Sequence, residues 1–213
     1  MTTLFGENFW DERYSRSNAV WSGNPNPQLV AEVAGLAPGR ALDVGCGEGA
    51  DSLWLAERGW QVTAVDFSQV ALRKASDHAS HRAEAGPVLS GTINWEHHDL
   101  LSWTPPASSC DLVSAQYMHL PTVEREPLFS RLAAAVAPGG TLLIVGHSAT
   151  DIQAGARRPV VPDLFFTAAE VANSLAPQQW QVQVSASRPR AGKNAEGEPI
   201  TIHDEVLRAV RRP

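Results

Sequence analysis

Three acids and two histidines stand where side chains could do chemistry. Asp43 sits two residues before the first glycine of "LDVGCGEGA", Asp66 closes the apolar run "QVTAVD", and Asp99 follows "TINWEHH". His119 and His147 come just after "DLVSAQ" and "TLLIVG", with Tyr117 close to the first. Glycines at 45, 47 and 49 let the backbone approach a ligand, and a helical pattern starts directly behind them. A turn of this kind takes a nucleotide. Carboxylates suit ribose hydroxyls and cationic groups, and an imidazole, with an ordinary pKa of about 6.5, suits proton transfer near neutral pH. His97 and His98 are neighbours in a strand-like run and point to opposite faces, so no metal site is expected.

The turn itself has two readings. As Gly45-x-Gly47-x-x-Ala50 it satisfies the dinucleotide fingerprint, with Asp66 as the ribose acid. As Asp43-x-Gly45-x-Gly47-x-Gly49 it sets a carboxylate where a pyrophosphate would be repelled and a cationic group welcomed. Asp99 stands where an acid can accept a hydrogen bond from an adenine amino group. The strands present make one sheet, without a second nucleotide-binding half, and these features together favour the second reading.

The elements that must position these residues alternate. Strands are expected near 40–45, 61–66, 92–97, 111–116 and 140–146, with helices at about 27–36, 50–59, 68–82 and 122–137. That order indicates an α/β fold with a largely parallel sheet. The first glycine-turn helix should face Leu53, Ala56 and Trp54 or Leu55 to the sheet and end at Gly59. "APGG" at 137–140 should stop the last of these helices. Residues 147–166 carry Gly, Pro and charge without periodicity and read as a long loop. A short helix in "TAAEVANSLA" follows, then two alternating runs joined by "PRAGKNAEGE", a hairpin by its turn residues.

Composition limits the partners. The 213 residues are 43% hydrophobic and 19% charged, ordinary for a globular protein, and the net charge of -6 opposes a large phosphate-binding surface, so no nucleic acid is expected. Cys46 and Cys110 form no disulfide framework and read as small packing residues. "MTTLFGENFWDERY" lacks a charged start followed by an apolar core, and no apolar run approaches a membrane span. A cytoplasmic protein without membrane contact is the expectation.

Taken together, "LDVGCGEG", "VTAVDFS", "HHDLL", "CDLVSAQYMHLP" and "APGGTLLIVG" resemble the class I S-adenosylmethionine (SAM)-dependent methyltransferases, and within them the small bacterial tellurite-resistance and thiopurine methyltransferase-like enzymes. The resemblance implies a Rossmann-like fold with a seven-stranded, mostly parallel sheet, an antiparallel last strand and helices on both faces. It implies one domain over 1–213: an N-terminal cap at 1–37, a SAM-binding core at 38–147, and a substrate loop, helix and terminal hairpin at 148–213. It further implies SAM as cofactor and S-adenosylhomocysteine as product. Gly45, Gly47 and Gly49, with Cys46 inside the turn, would face the methionine part and ribose, and Asp43 would orient that end. Asp66 would hold the ribose hydroxyls, with Phe67 near adenine and Ser68 behind it. Asp99 would read the adenine amino group and Leu100 offer its N–H. Gln116 lies where backbone carbonyls would receive the SAM ammonium group, and from the cap Tyr14 or Arg13 would hold the SAM carboxylate, with Trp21 beside the cofactor.

Methyl transfer needs a nucleophile behind the methyl group and little water; a base is needed only when the acceptor arrives protonated. His119 and His147 are the candidate bases, and Tyr117 a candidate for orienting the acceptor. Each has a rival role as a packing or loop residue. The acceptor should be a small molecule, offering sulfur, oxygen, nitrogen or an oxyanion such as tellurite or selenite, with a monomer or homodimer as the working form. Arg157, Arg158, Arg188 and Arg190 are candidates for attracting an anion. Two alternatives stay open: an NAD(P)-linked oxidoreductase, and a SAM-binding module without transferase activity.

Overall fold

The computed structural model describes residues 6–17, 19–86, 89–159 and 161–213. Residues 1–5, which begin the segment read for an export signal, lie outside the described residues, as does Val160 in the expected long loop. The described residues form two compact units. The first runs to Thr104 and includes Leu112–Ser114; the second comprises Pro105–Asp111 and Ala115–Pro213.

In the first unit, helices α1 (Glu7–Ser15) and α2 (Pro27–Val33) precede β1 (Arg40–Val44), α3 (Ala50–Glu57), β2 (Gln61–Asp66), α4 (Gln69–Ala85) and β3 (Thr92–His97). β1 pairs in parallel with β2, and β2 with β3, so that Asp66 stands beside His97. β1 and β2 are buried along nearly their whole length, as expected of parallel strands covered on both faces. The helix α1 was not evident in the sequence. In α3 the buried residues are Ser52, Trp54, Leu55 and Ala56, while Leu53 is only partly covered. The difference is one of phase. With the helix starting at Ala50, residues 52, 55 and 56 share one face and 53 falls beside it. Trp54, on the other side, is covered by Arg58, whose guanidinium lies 4.0 Å from the ring centroid. Gly59, with φ +90°, ends the helix as expected.

The second unit holds most of β4 (Cys110–Gln116), then α5 (Thr122–Ala135), β5 (Val136–His147), α6 (Thr150–Gln153), a 3₁₀ turn (Pro162–Leu164), α7 (Ala168–Ser174), β6 (Trp180–Lys193) and β7 (Pro199–Arg211). α7 begins with a capping box between Thr167 and Glu170. β7 runs antiparallel to both β5 and β6, and the seven strands follow the order β3-β2-β1-β4-β5-β7-β6. The sheet is thus mixed, mostly parallel, with its antiparallel strand last in the chain.

Two expectations are corrected here. The "PRAGK" half of the expected hairpin turn is strand, and the turn itself is confined to residues 194–198. Pro189 lies opposite His203 in that ladder. β6 is the sheet edge, where a missing N–H costs no ladder partner, so proline does not end it. The stretch 147–166 is not loop throughout, since it carries α6 and the 3₁₀ turn.

Gly49 caps α3 with φ +83°, and a Cβ there would lie 2.6 Å from the Trp95 ring and 2.9 Å from the Ala75 methyl. Gly139 has φ +80° but nothing within 4 Å of a Cβ. Gly49→Ala should therefore cost about 3 kcal/mol, from left-handed strain plus overpacking, and Gly139→Ala about 1 kcal/mol, from strain alone. Urea midpoints of the two variants measure the difference; equal losses would mean that Trp95 and Ala75 yield freely.

Candidate active site

The glycine turn is shaped by its neighbours' oxygens. Gly45, Gly47 and Gly49 all have positive φ, at 69°, 53° and 83°. The N–H groups of Gly45 and Cys46 donate to the Val65 carbonyl at 2.8 and 3.0 Å, which ties the turn to the end of β2. Asp66, at that end, accepts from Gly47 N–H and Ser68 N–H, each at 2.9 Å, with a different oxygen. Ser68 caps α4 by accepting from Ala71 N–H. Two further carboxylates are packed around the turn. Asp43 accepts from the Ser52 hydroxyl at 2.5 Å, and Asp51 from Asn26 N–H at 2.6 Å. Among the described residues no lysine or arginine pairs with any of these three acids.

Their electrostatics follow from that isolation. Burial, with the nearby Asp51 and Asp66, pushes Asp43 up to about 7. Burial pushes Asp51 up to about 6 and raises Asp66. Burial and the charges of Asp43 and Asp66 hold the Cys46 thiol well above its usual range, so it is no nucleophile. Glu48 and Asp51 were not among the sequence candidates, although the run "DVGCGEGAD" already shows three acids in nine residues.

The N-terminal segment closes over this turn within the same unit. Buried Tyr14 accepts from Trp21 Nε1 at 3.1 Å, and a Cβ on Gly47 would stand 3.0 Å from the Tyr14 hydroxyl. Arg13 lies over the Trp10 and Trp21 rings, 5.4 and 5.3 Å from their centroids. The buried Glu48 carboxylate accepts from Val20 and Trp21 N–H at 3.0 and 3.1 Å and pairs with Lys74 at 3.2 Å. Asp11 accepts from the Ser68 hydroxyl. Phe67 is partly exposed, and its carbonyl lies 2.7 Å from His97 Nε2. Asp99 is exposed and folds back to accept from Leu101 N–H at 2.9 Å, forming a local turn, while Leu100 is buried. His98 turns instead to Glu96 at 2.8 Å and stacks on Trp103.

In the second unit, Tyr117, His119 and His147 come together at the carboxyl ends of β4 and β5. Gln116, the last residue of β4, is partly buried. Tyr117 takes φ +57°, a costly conformation for a tyrosine, held by its N–H donating to Val145 O at 2.7 Å. That twist lays its ring on His147, centroids 4.1 Å apart, and His147 in turn stacks on His119 at 5.0 Å. His119 has both nitrogens occupied: Nδ1 is 3.2 Å from Leu164 O, and Nε2 accepts from His147 N–H at 3.3 Å. Burial first, then His147, holds His119 down to about 4. His147 is also lowered, chiefly by burial, and its Nδ1 is buried without a hydrogen bond, 3.9 Å from an Asp204 oxygen.

Asp204 is the residue that sequence reasoning missed. It is fully buried, accepts from the Tyr117 hydroxyl at 3.2 Å and from Arg190 Nε at 2.8 Å, and faces His147. Burial, with Asp204 next, pushes Tyr117 up to about 12, so the phenol keeps its proton. Arg158 pairs with the buried Asp151 at 3.5 Å. Arg157 is exposed and donates to Ala195 O, and Arg188 lies along β6 opposite Asp204.

A methyltransferase domain family matches residues 41–140, from β1 through the glycine turn to the start of β5. The trans-aconitate 2-methyltransferase of Rhizobium meliloti (strain 1021) is 34% identical over 123 residues, which cover 56% of this chain and 43% of that protein. The chain thus spans less than half the length of that relative. A solved structure concerned with conversion of a disulfide bond into a thioacetal group during echinomycin biosynthesis is 27% identical, with TM-score 0.73, covering 97% of this chain and 92% of the other. TehB from Haemophilus influenzae, 18% identical with TM-score 0.67 and coverage of 97% and 67%, shares the fold. No described helix is long and apolar enough to cross a membrane. With its glycine turn, its acids at the ends of β1 and β2 and this sheet order, the chain carries over residues 41–140 a methyltransferase domain of the class I, SAM-dependent fold.

Proposed function

We propose that the whole chain is a SAM-dependent methyltransferase acting on a small molecule that carries a thiol, hydroxyl or amine, with His147 as proton acceptor. The observation that carries this reading is the stack of Tyr117, His147 and His119 against buried Asp204. A neutral imidazole sits there with one nitrogen toward a carboxylate, the arrangement that orients a base and steadies its imidazolium.

The cofactor suits the first unit's acids. Two backbone N–H groups occupy Asp66, and a carboxylate has further lone pairs for the ribose diol. Buried Asp43 and half-buried Asp51, neither paired with a cation among the described residues, suit the ammonium and sulfonium charges. The same acids disfavour a pyrophosphate, which argues against an NAD(P)-linked oxidoreductase. Cys46, Phe67, Ser68 and Leu100 line the course of the cofactor on this reading, and Tyr14, Arg13 and Trp21 exclude water above it. Asp99 contributes only after leaving its local turn. Residues 1–37 then act as cap, 38–147 as SAM-binding core, and 148–213 as acceptor side, in a cytoplasmic monomer or homodimer.

When bound, SAM supplies a methyl group on a positively charged sulfur, which leaves as the neutral thioether of S-adenosylhomocysteine while the acceptor's lone pair takes the methyl carbon. His147 receives the proton the acceptor loses, and Asp204 faces the resulting imidazolium. Tyr117 fixes the plane of His147 by stacking. His119, with both nitrogens engaged, holds His147 in place and takes no proton. An acceptor already ionised, a carboxylate or an oxyanion, reacts without this step. The named activity of the Rhizobium relative supports a small carboxylate-rich acceptor, and the disulfide-to-thioacetal conversion of the structural relative supports an acceptor at sulfur. Incubation with methyl-labelled SAM and a panel of thiols, phenols, amines, tricarboxylates and oxyanions tests the proposal. Labelled small-molecule product with S-adenosylhomocysteine formed supports it; SAM bound with no product from any acceptor class leaves a binding module.

Asp66→Ala should weaken SAM binding by about a hundredfold, through the lost charge-assisted pair together with the freed Gly47 and Ser68 N–H groups, while the circular dichroism of the helices and sheet is unchanged. Calorimetric titration reads it directly, and unaltered affinity would remove Asp66 from the cofactor site. Apo-protein stability should fall as pH rises from about 4 to about 7. Asp43 and Asp51 have folded pKa values raised to about 7 and about 6, so their contribution is present below the unfolded value and lost above the folded one. Asp43→Asn should flatten that slope in thermal melts and raise the midpoint at pH 7.5; a slope unchanged by the substitution would clear Asp43. With a thiol or phenol acceptor, His147→Gln should lower kcat/KM by about 10²–10⁴, and His119→Asn by less than about tenfold. The rate should rise through a pKa below 6.5 that disappears in His147→Gln. A limb that persists in that variant would assign the base elsewhere.

A further inference from the structure

Beyond the stacked imidazoles the second unit holds a cavity of about 430 Å³ between residues 156–158 and the β6–β7 turn. Its walls are fixed by backbone. Ala156 bridges to Asn194, Ala195 N–H donates to Gly155 O at 3.1 Å, and the Asn194 side chain accepts from Glu196 and Glu198 N–H. Three cations line it: Arg157, Arg158 and Lys193. Arg157 is oriented by donating to Ala195 O at 2.7 Å. Arg158 is anchored at its far side by buried Asp151, 3.5 Å away, and its Nε is buried with no hydrogen-bond partner. One carboxylate, Glu196, and one buried aliphatic side chain, Ile202, complete the relevant lining.

Two tethered arginines and Lys193, set against Glu196 and the Asp151 that pairs with Arg158, leave an excess of positive charge that suits an anion. An exposed arginine normally swings freely. Here both arginines are tethered before any ligand arrives, so less rotamer entropy is lost on binding. The size suits a molecule of metabolite dimensions rather than a chain segment. Asp151, which holds Arg158, also accepts from His203 N–H at 2.9 Å, and the next residue, Asp204, lies opposite His147 in the β5–β7 ladder, which sets the cavity on the side of the proposed proton acceptor.

We propose that this cavity binds an anionic oxygen group, carboxylate or phosphate, of the methyl acceptor, and so selects acceptors that carry a negative charge away from the atom methylated. The assignment of the ligand as the acceptor rests on the methyltransferase reading; the anion site itself does not. Arg157 and Lys193 are the selecting groups, and Glu196 weakens selection by opposing them.

Calorimetric titration of the full chain with tricarballylate and with glycerol 2-phosphate, at low salt and without SAM, tests the site. At least one probe should bind, and the stronger identifies which oxygen group the cavity favours. Arg157→Gln with Lys193→Gln, both exposed positions, should weaken that probe by about tenfold or more, while Glu196→Gln tightens it several-fold. S-adenosylhomocysteine affinity, measured in the same samples, should not change in either variant. Neither probe binding, or binding indifferent to all three substitutions, would overturn the inference. S-adenosylhomocysteine bound with no anion bound would sink the cavity and spare the methyltransferase reading. Anion bound with no S-adenosylhomocysteine affinity would do the reverse.

Discussion

The first unit is organised around the carboxylate of Asp66. One oxygen holds Gly47 in its left-handed conformation and the other holds Ser68, so the turn after β1 and the start of α4 are set by one side chain. Ser68 in turn caps α4 and donates to Asp11 of the N-terminal helix. Strand end, glycine turn, helix start and cap therefore share a single buried anion. Burial of that anion, beside Asp43 and with Asp51 near by, is unfavourable in the protein alone, which is why their pKa values rise. The arrangement trades stability for a binding field of one sign.

Asp204 plays the equivalent part in the second unit, with the opposite logic. It is buried but compensated by Arg190 and the Tyr117 hydroxyl. Its approach to His147, at 3.9 Å, is too long for a hydrogen bond in the neutral state. A positive charge on the imidazole would strengthen it. The carboxylate thus rewards protonation of His147 more than it rewards the resting form, and a base is served best by a partner of that kind. The left-handed Tyr117 is the strained element that makes the geometry possible, since an extended backbone would turn the phenol away from both His147 and Asp204.

What the sequence disclosed and what it hid divide along the range of the interactions. The β1–turn–α3 unit was legible because Gly45, Gly47, Gly49 and the flanking apolar runs act within a few residues of one another. Ser68 as a cap was legible for the same reason. Helix α1 was hidden because its polar, weakly patterned sequence is held by distant partners, Asp11 on Ser68 and Tyr14 over Gly47. Asp204, and its pairing with Arg190, were hidden because the two meet only through the β6–β7 register, and that register depends on Pro189 being tolerated at an edge. Tyr117, His119 and His147 were legible as strand-end residues, but not which imidazole has a nitrogen to spare. That depends on Leu164 O, forty-five residues along the chain from His119.

On the proposed reading, the charges of the first unit also bear on turnover. The acids of the first unit attract a cofactor that is cationic at sulfur, and methyl transfer removes that charge. Buried carboxylates without internal cations would then hold the neutral thioether less strongly than its precursor, by an amount set by the loss of one favourable charge interaction in a poorly screened site. The same attraction opposes transfer, because it stabilises the sulfonium that must be neutralised. The raised pKa of Asp43 moderates this conflict. Near neutral pH it is part protonated in the protein alone, and a cation bound beside it would favour its ionised form while a neutral thioether would not. A buried acid titrating near pH 7 thereby lets one site bind a cation firmly without holding the spent product.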